Sequence, residues 1–212
     1  MDVKTWKTAT RLILWSLIST FVLAIVTAVV FLMSFLPAVN SVAYTYDGEF
    51  NIDLPWYIYV FPVLILITYI LYFIGIHMMA RNLPYDDGRS FGRIRMALIL
   101  NFAGIGTSFI PEFGIFITFA LGIMGFAWMM MAFRELKGSE TFPPKARTGA
   151  LLLYISMFLA LGGAVLSFIP IIAALGSLTS IAGMVLQIVG WAKIAAAEPL
   201  PEEEIEEVSE EN

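Results

Sequence analysis

Six long apolar stretches separated by short polar ones dominate the chain, over 12–36, 56–79, 94–110, 112–133, 149–169 and 171–194. A membrane helix needs about 20 mostly apolar residues to cross roughly 30 Å of hydrocarbon, and each stretch is near that length. Inside lipid every backbone N–H and C=O must be satisfied within its own segment, so the stretches predict helices. A membrane strand would instead alternate apolar with polar residues, and none of the six does. Lys4, Lys7 and Arg11 precede the first stretch. The apolar run after them exceeds the roughly 7–15 residues of a secretory h-region and no small-x-small cleavage pattern follows, so it reads as a retained helix.

Composition agrees. Of 212 residues, 59% are hydrophobic and 14% charged, against about 25% charged in an average soluble domain. The mean hydropathy is +0.85. So much apolar surface does not fit inside one small soluble core, and neither a disordered chain nor an ordinary globule has this composition. The net charge of −5 offers no general basic field for a nucleic acid. With no cysteine there is no disulfide, thiolate metal site or cysteine nucleophile.

Charge placement sets the expected orientation. Lys4, Lys7, Arg11, Arg81, Arg89, Arg93, Arg95, Arg134, Lys137, Lys145, Arg147 and Lys193 all fall on one side of the six stretches, and Asp47, Glu49, Asp53 and Glu112 on the other. The expectation is an all-α integral membrane protein of the cytoplasmic membrane. Six transmembrane helices form three in–out–in hairpins, with both termini cytoplasmic. Residues 1–196 make up this domain and 197–212 an acidic, disordered cytoplasmic tail, like-charge blocks being usually solvated. The outer loop, 38–55, contains Asp47-Gly48 between two alternating β-prone runs, which predicts a small external β-hairpin. Trp56, Tyr57 and Tyr59 then read as an interfacial aromatic belt.

The apolar stretches also contain an internal repeat. Residues 98–111 align with 157–170, sharing Leu100/Leu159, Gly104/Gly163, Ser108/Ser167, Phe109/Phe168, Ile110/Ile169 and Pro111/Pro170. A third copy of the closing signature is Ser34-Phe35-Leu36-Pro37. Proline disfavours helix in the residue before it and suits the start of the next helix, so each copy predicts a corner between helices. Repeats of the same orientation would be related by an axis along the membrane normal. Small residues concentrate in helices 3–6, where Gly104 and Ser108, Ala173 and Ser177, and Gly176 and Ser180 stand one turn apart. Such pairs let helices approach closely, so a four-helix core of helices 3–6 is expected, with helices 1–2 packed outside it.

Candidate chemistry is sparse. Ionisable residues at mid-membrane mark ion paths and catalytic sites, and no stretch holds one near its centre. His77, the sole histidine, lies near the inner end of helix 2 and reads as an interfacial residue. Tyr85-Asp86-Asp87-Gly88-Arg89 and Lys137-Gly138-Ser139-Glu140 read as turn-rich loops whose arginines can meet anionic headgroups. Met129-Met130-Met131 reads as adaptable packing. Asn101 on helix 3 and Gln187 on helix 6 are the candidates for a polar pocket, with hydrogen-bonded glue between helices as the other role open to them. No catalytic residue, cofactor or metal site is expected.

Leu100–Glu135, with Gly104, Ser108-Phe109-Ile110-Pro111, Gly114, Gly122 and the closing Arg134, resembles a family of small archaeal multi-pass membrane proteins of unknown function, in which two glycine-rich helices meet at a Phe-Ile-Pro corner. The resemblance covers about a third of the chain and implies an architecture and a membrane but no activity. The functional expectation is a non-catalytic subunit, partnered by the lipid bilayer and by copies of itself or other membrane subunits, and binding no nucleic acid. The alternatives are a small transporter or channel built from parallel hairpin repeats, and an enzyme acting on lipid.

Overall fold

The computed structural model describes backbone and side chains for residues 1–33, 60–108, 110–167 and 169–200, and backbone alone for 34–42. Among these residues the chain is all α, without strands. It comprises α1 (Val3–Val42), α2 (Val60–Asn82), α3 (Tyr85–Thr107), α4 (Gly114–Gly138), α5 (Pro144–Ser167) and α6 (Ala173–Ala195), with a 3-10 turn at Pro170–Ile172. Five segments are long and apolar enough to cross a membrane: Val3–Met33, α2, α4, α5 and Pro170–Ala195. This is the helix inventory of a multi-pass membrane protein. The expected external β-hairpin, the aromatic belt and the tail from 201 onward lie outside the described residues.

Three local expectations need correction. Helix α3 begins at Tyr85 rather than Ile94, so Tyr85–Arg89 is helix and not loop. Pro84 is its N-cap and accepts from the Gly88 N–H at 2.7 Å. Asp86 and Asp87 occupy the first turn, where carboxylates complement the partial positive charge of a helix start. The Asp-Asp-Gly run therefore opens a helix instead of making a turn. At the other loop, Lys137 and Gly138 are the last residues of α4. Finally, α1 stays helical through Pro37 to Val42, so Ser34–Pro37 is no corner. Proline takes a helical φ, and a long helix can run through it at the cost of a lost backbone hydrogen bond. The other two signatures do end helices: α3 stops at Thr107 ahead of a turn through Pro111, and α5 stops at Ser167 ahead of the turn that Pro170 opens.

Each hairpin is sealed by small residues seven apart. On α5 these are Gly149, Ser156 and Gly163, and on α6 they are Gly176, Gly183 and Gly190, all buried. Seven residues are two turns of an α-helix, so they form one slowly drifting stripe. The stripes meet glycine on glycine. A Cβ on Gly149 would lie 2.5 Å from the Gly190 carbonyl oxygen, and one on Gly176 would lie 2.7 Å from that of Gly163. The same device recurs in α3–α4, where a Cβ on Gly125 would lie 3.1 Å from the Ala97 oxygen and Thr118 donates to the Gly104 carbonyl at 2.7 Å. In α1–α2, Gly75 faces the Ala9 carbonyl and the Thr20 and Thr68 hydroxyls meet at 2.8 Å.

The hairpins close into a ring. Beyond the pairs within hairpins, α2 packs on α3, α4 on α5 and α1 on α6, while the backbones of α3 and α6 stay apart and the two helices meet through the Phe91 and Trp191 rings. The expected four-helix core of helices 3–6 is thus replaced by a ring in which α1 and α2 sit between α3 and α6. Glycine abundance reports close approach within a hairpin and is silent on which hairpins meet.

The large buried side chains gather at one end of the ring, the end where α1, α3 and α5 begin. Trp6, Phe142, Phe91, Trp191 and Tyr72 form a continuous series of ring contacts, with centroid separations of 5.9, 6.1, 6.2 and 6.1 Å. They come from α1, the α4–α5 connection, α3, α6 and α2, so they reach across the interior. Aromatic pairs at such distances add about 0.5–1.5 kcal/mol each beyond burial. The opposite half is different. Beyond Thr68, Ser156 and Met157 towards the middle of the helices, its buried residues, among those described, are glycines: Gly104, Gly114, Gly163, Gly176 and Gly183. Phe116, Phe119, Leu178 and Val165 there are more than half exposed. The hairpins are tight internally and joined to one another at the aromatic end.

Candidate functional site

The aromatic end also carries the charges. Its organiser is the first half of α3, whose buried face is Asp87, Ser90, Phe91, Ile94, Ala97 and Leu98. That spacing of three and four residues is an amphipathic stripe. Two clefts flank the helix, and Arg89 belongs to both.

The first cleft, about 900 Å³, lies between α3, the end of α4 and the α4–α5 connection. Thr141 Oγ1 donates to Asp87 Oδ2 at 2.9 Å and lies 2.9 Å from Ser139 Oγ. Ser90 Oγ donates to Glu135 Oε2 at 2.8 Å, and Arg93 pairs with the other Glu135 oxygen. Arg147 donates to the Phe142 carbonyl at 2.7 Å and to that of Glu140 at 2.5 Å, fixing the connection. Asp87 is 1% exposed. Burial pushes its carboxyl above the usual carboxylate range, against the pull of hydrogen bonds from Ser139 and Thr141. These carboxylates hold α3 to α4 and to the connection, and none is paired with a nucleophile and an orienting base. No group of three or more His, Asp or Glu side chains able to hold a metal ion occurs among the described residues.

The second cleft, about 590 Å³, lies on the other side of α3, against the end of α2 and Trp128 of α4. Arg81, Arg89, Arg93 and Arg95 line it, and no carboxylate does. Arg93 has Glu135. Arg95 Nη1 lies 3.0 Å from His77 Nδ1; an arginine only donates, so that nitrogen accepts. His77 also stacks on Phe73. His77 lies near the C-terminal end of α2, and Arg95 folds towards that end. Gly92 opens on empty space, with nothing within 4 Å of a Cβ built there.

The polar-pocket pair is not brought together. Asn101 lies on α3 with its Oδ1 against Gly125 of α4, 2.8 Å from where that glycine's Cβ would be. Gln187 is half-buried on α6, a helix whose backbone stays apart from that of α3. Neither lines either cleft. Met129 and Met130 pack against the core, while Met131 faces the first cleft. Read from sequence, these arginines set orientation and can meet anionic headgroups, but they are not placed in one cleft. The available signal was four arginines between 81 and 95 with the acidic residues Asp86 and Asp87 confined to one stretch.

No protein-family model, curated protein or solved structure matches the chain.

Proposed function

We propose that this chain is a non-catalytic multi-pass membrane protein that serves as an assembly or accessory subunit, packing with copies of itself or with other subunits in the cytoplasmic membrane. In this reading all six helices cross, as three in–out–in hairpins with the aromatic, arginine-bearing end and both termini inside. Helix α3 begins among headgroups, and the apolar stretch 94–110 makes its passage, with Arg95 reaching back to the surface. The second and third hairpins descend from a duplicated unit, and the chain is akin to the small archaeal proteins that its Phe-Ile-Pro corners resemble.

One observation carries the proposal. Away from the aromatic end, the second and third hairpins bury glycine internally and leave Phe116, Phe119, Leu178 and Val165 uncovered, so hairpin faces remain for lipid and for other helices. Small-residue seams supply helix contact where water is absent and no hydrophobic force acts between helices. The transporter or channel reading is weaker, because the five-ring aromatic cluster reaches across the interior where a conduction path would run.

Purification of the full chain from native membranes in mild detergent, after brief cross-linking, tests the proposal. The expected result is a stoichiometric complex, either an oligomer or a defined set of other membrane subunits. A lone monomer that carries nothing with it would overturn it.

A further inference from the structure

We propose that the cleft between the end of α2, the first half of α3 and Trp128 binds the phosphate of an anionic phospholipid, with Arg81, Arg89 and Arg95 holding the headgroup. This inference stands apart from what the chain assembles with.

The cleft concentrates positive charge that the protein itself compensates only in part. Four guanidinium groups line it without a carboxylate. Arg93 alone has an acidic partner, Glu135. Arg95 rests on a neutral acceptor, His77 Nδ1. Among the described residues no ion pair or hydrogen bond engages the side chains of Arg81 or Arg89. Like charges held this close repel, and an anion between them relieves that cost. Guanidinium forks match phosphate oxygens bidentately and remain charged at all working pH values. Basic pockets between membrane helices on the cytoplasmic side bind phosphate-bearing headgroups in this way.

The apolar surroundings favour a lipid over a free phosphate. The cleft is floored by Met96 and Trp128. Ile99, one helical turn beyond Met96 on the same side of α3, is 43% exposed, and Phe102 is 51% exposed. An acyl chain leaving a headgroup at Arg89 therefore meets a continuous apolar rail along α3. Gly92 keeps the middle of the cleft clear, since a Cβ there would touch nothing within 4 Å.

The test is native mass spectrometry of the full chain in mild detergent. The probes are phosphatidylglycerol, phosphatidylcholine with the same acyl chains, and inorganic phosphate. Wild type is expected to retain phosphatidylglycerol about tenfold better than phosphatidylcholine. Arg81→Gln with Arg89→Gln should abolish that preference. Gly92→Leu keeps every arginine and places a side chain in the middle of the cleft, so it should lower that preference, while thermal unfolding reports that the fold survives. Lys4→Gln with Arg11→Gln removes two cations from the same end and should leave the preference intact. The proposal is overturned by equal retention of the two lipids, by a preference that Gly92→Leu leaves unchanged, by the Lys4/Arg11 pair lowering it as much as the Arg81/Arg89 pair, or by inorganic phosphate binding as tightly as the lipid.

Discussion

Gly162 and Gly163 are neighbours on α5 that differ in what surrounds them, and replacing each with alanine separates helix propensity from helix packing. A Cβ on Gly162 meets nothing within 4 Å. Alanine there should stabilise by up to about 1 kcal/mol, the helix-propensity difference. A Cβ on Gly163 collides with the Ser180 hydroxyl and lies 2.8 Å from the Gly176 carbonyl oxygen, where ordinary contact begins at 3.4 Å. The crossing must open by roughly the difference, 3.4 − 2.8 = 0.6 Å. Overpacking of that kind costs about 1–3 kcal/mol. Set against the same propensity gain, Gly163→Ala should lose up to about 2 kcal/mol, so the two variants should differ by the overpacking cost, about 1–3 kcal/mol. Unfolding followed by circular dichroism in mixed micelles with rising dodecyl sulfate would measure it. Gly163→Ala matching Gly162→Ala in sign and size would refute the seam between α5 and α6.

The aromatic end makes its own demands. Phe91→Ala, at a fully buried ring touching Phe142 and Trp191, should cost about 3–5 kcal/mol, and Phe102→Ala, 51% exposed, less than half of that in the same assay. Asp87 sets a pH dependence. Its folded carboxyl holds its proton to higher pH than an unfolded one, so stability is greatest in acid and falls as pH rises from the ordinary carboxylate range through the raised value. Asp87→Asn keeps an acceptor for Thr141 and removes the buried charge, so a plot of melting temperature against pH should lose that decline. An unchanged decline in the variant would assign it to other groups. Thr118→Val removes the hydroxyl bonded to the Gly104 carbonyl and should cost about 0.6 kcal/mol, read from the same denaturation.

The apolar stretches were legible because hydropathy is a sum over about 20 residues and survives local error. The corners at Pro111 and Pro170 were legible because proline acts on its immediate neighbours. The start of α3 was not. Asp86-Asp87-Gly88 carries the composition of a turn, and only Pro84 ahead of it and Phe91, Ile94 and Leu98 behind it show the helical stripe. The seven-residue stripes were visible as glycines but were read at a spacing of four, which captures Gly176 with Ser180 and misses Gly149–Gly163 and Gly176–Gly190. Ring closure was beyond reach, because which hairpins meet depends on Trp6, Phe91, Phe142 and Trp191, residues far apart in sequence that converge at one end. Asn101 and Gln187 were chosen for polarity alone, and polarity does not say that the backbones of α3 and α6 stay apart. That loop arginines meet anionic headgroups was legible, but that Arg81, Arg89, Arg93 and Arg95 share one cleft was not, because it depends on how α2 packs on α3.

The central claim is a chain of three in–out–in hairpins whose arginine end faces the cytoplasm, and α3 is its most exacting element. The native sequence has no cysteine, so single cysteines report cleanly. Tyr85→Cys marks the start of α3, where Tyr85 is 81% exposed. Glu112→Cys marks the corner after it, and Glu140→Cys the connection after α4. A membrane-impermeant maleimide applied to intact cells should label the Glu112 variant at once and the Tyr85 and Glu140 variants only after lysis. Labelling of Tyr85→Cys and Glu112→Cys from the same side would contradict the account, because α3 would then not cross.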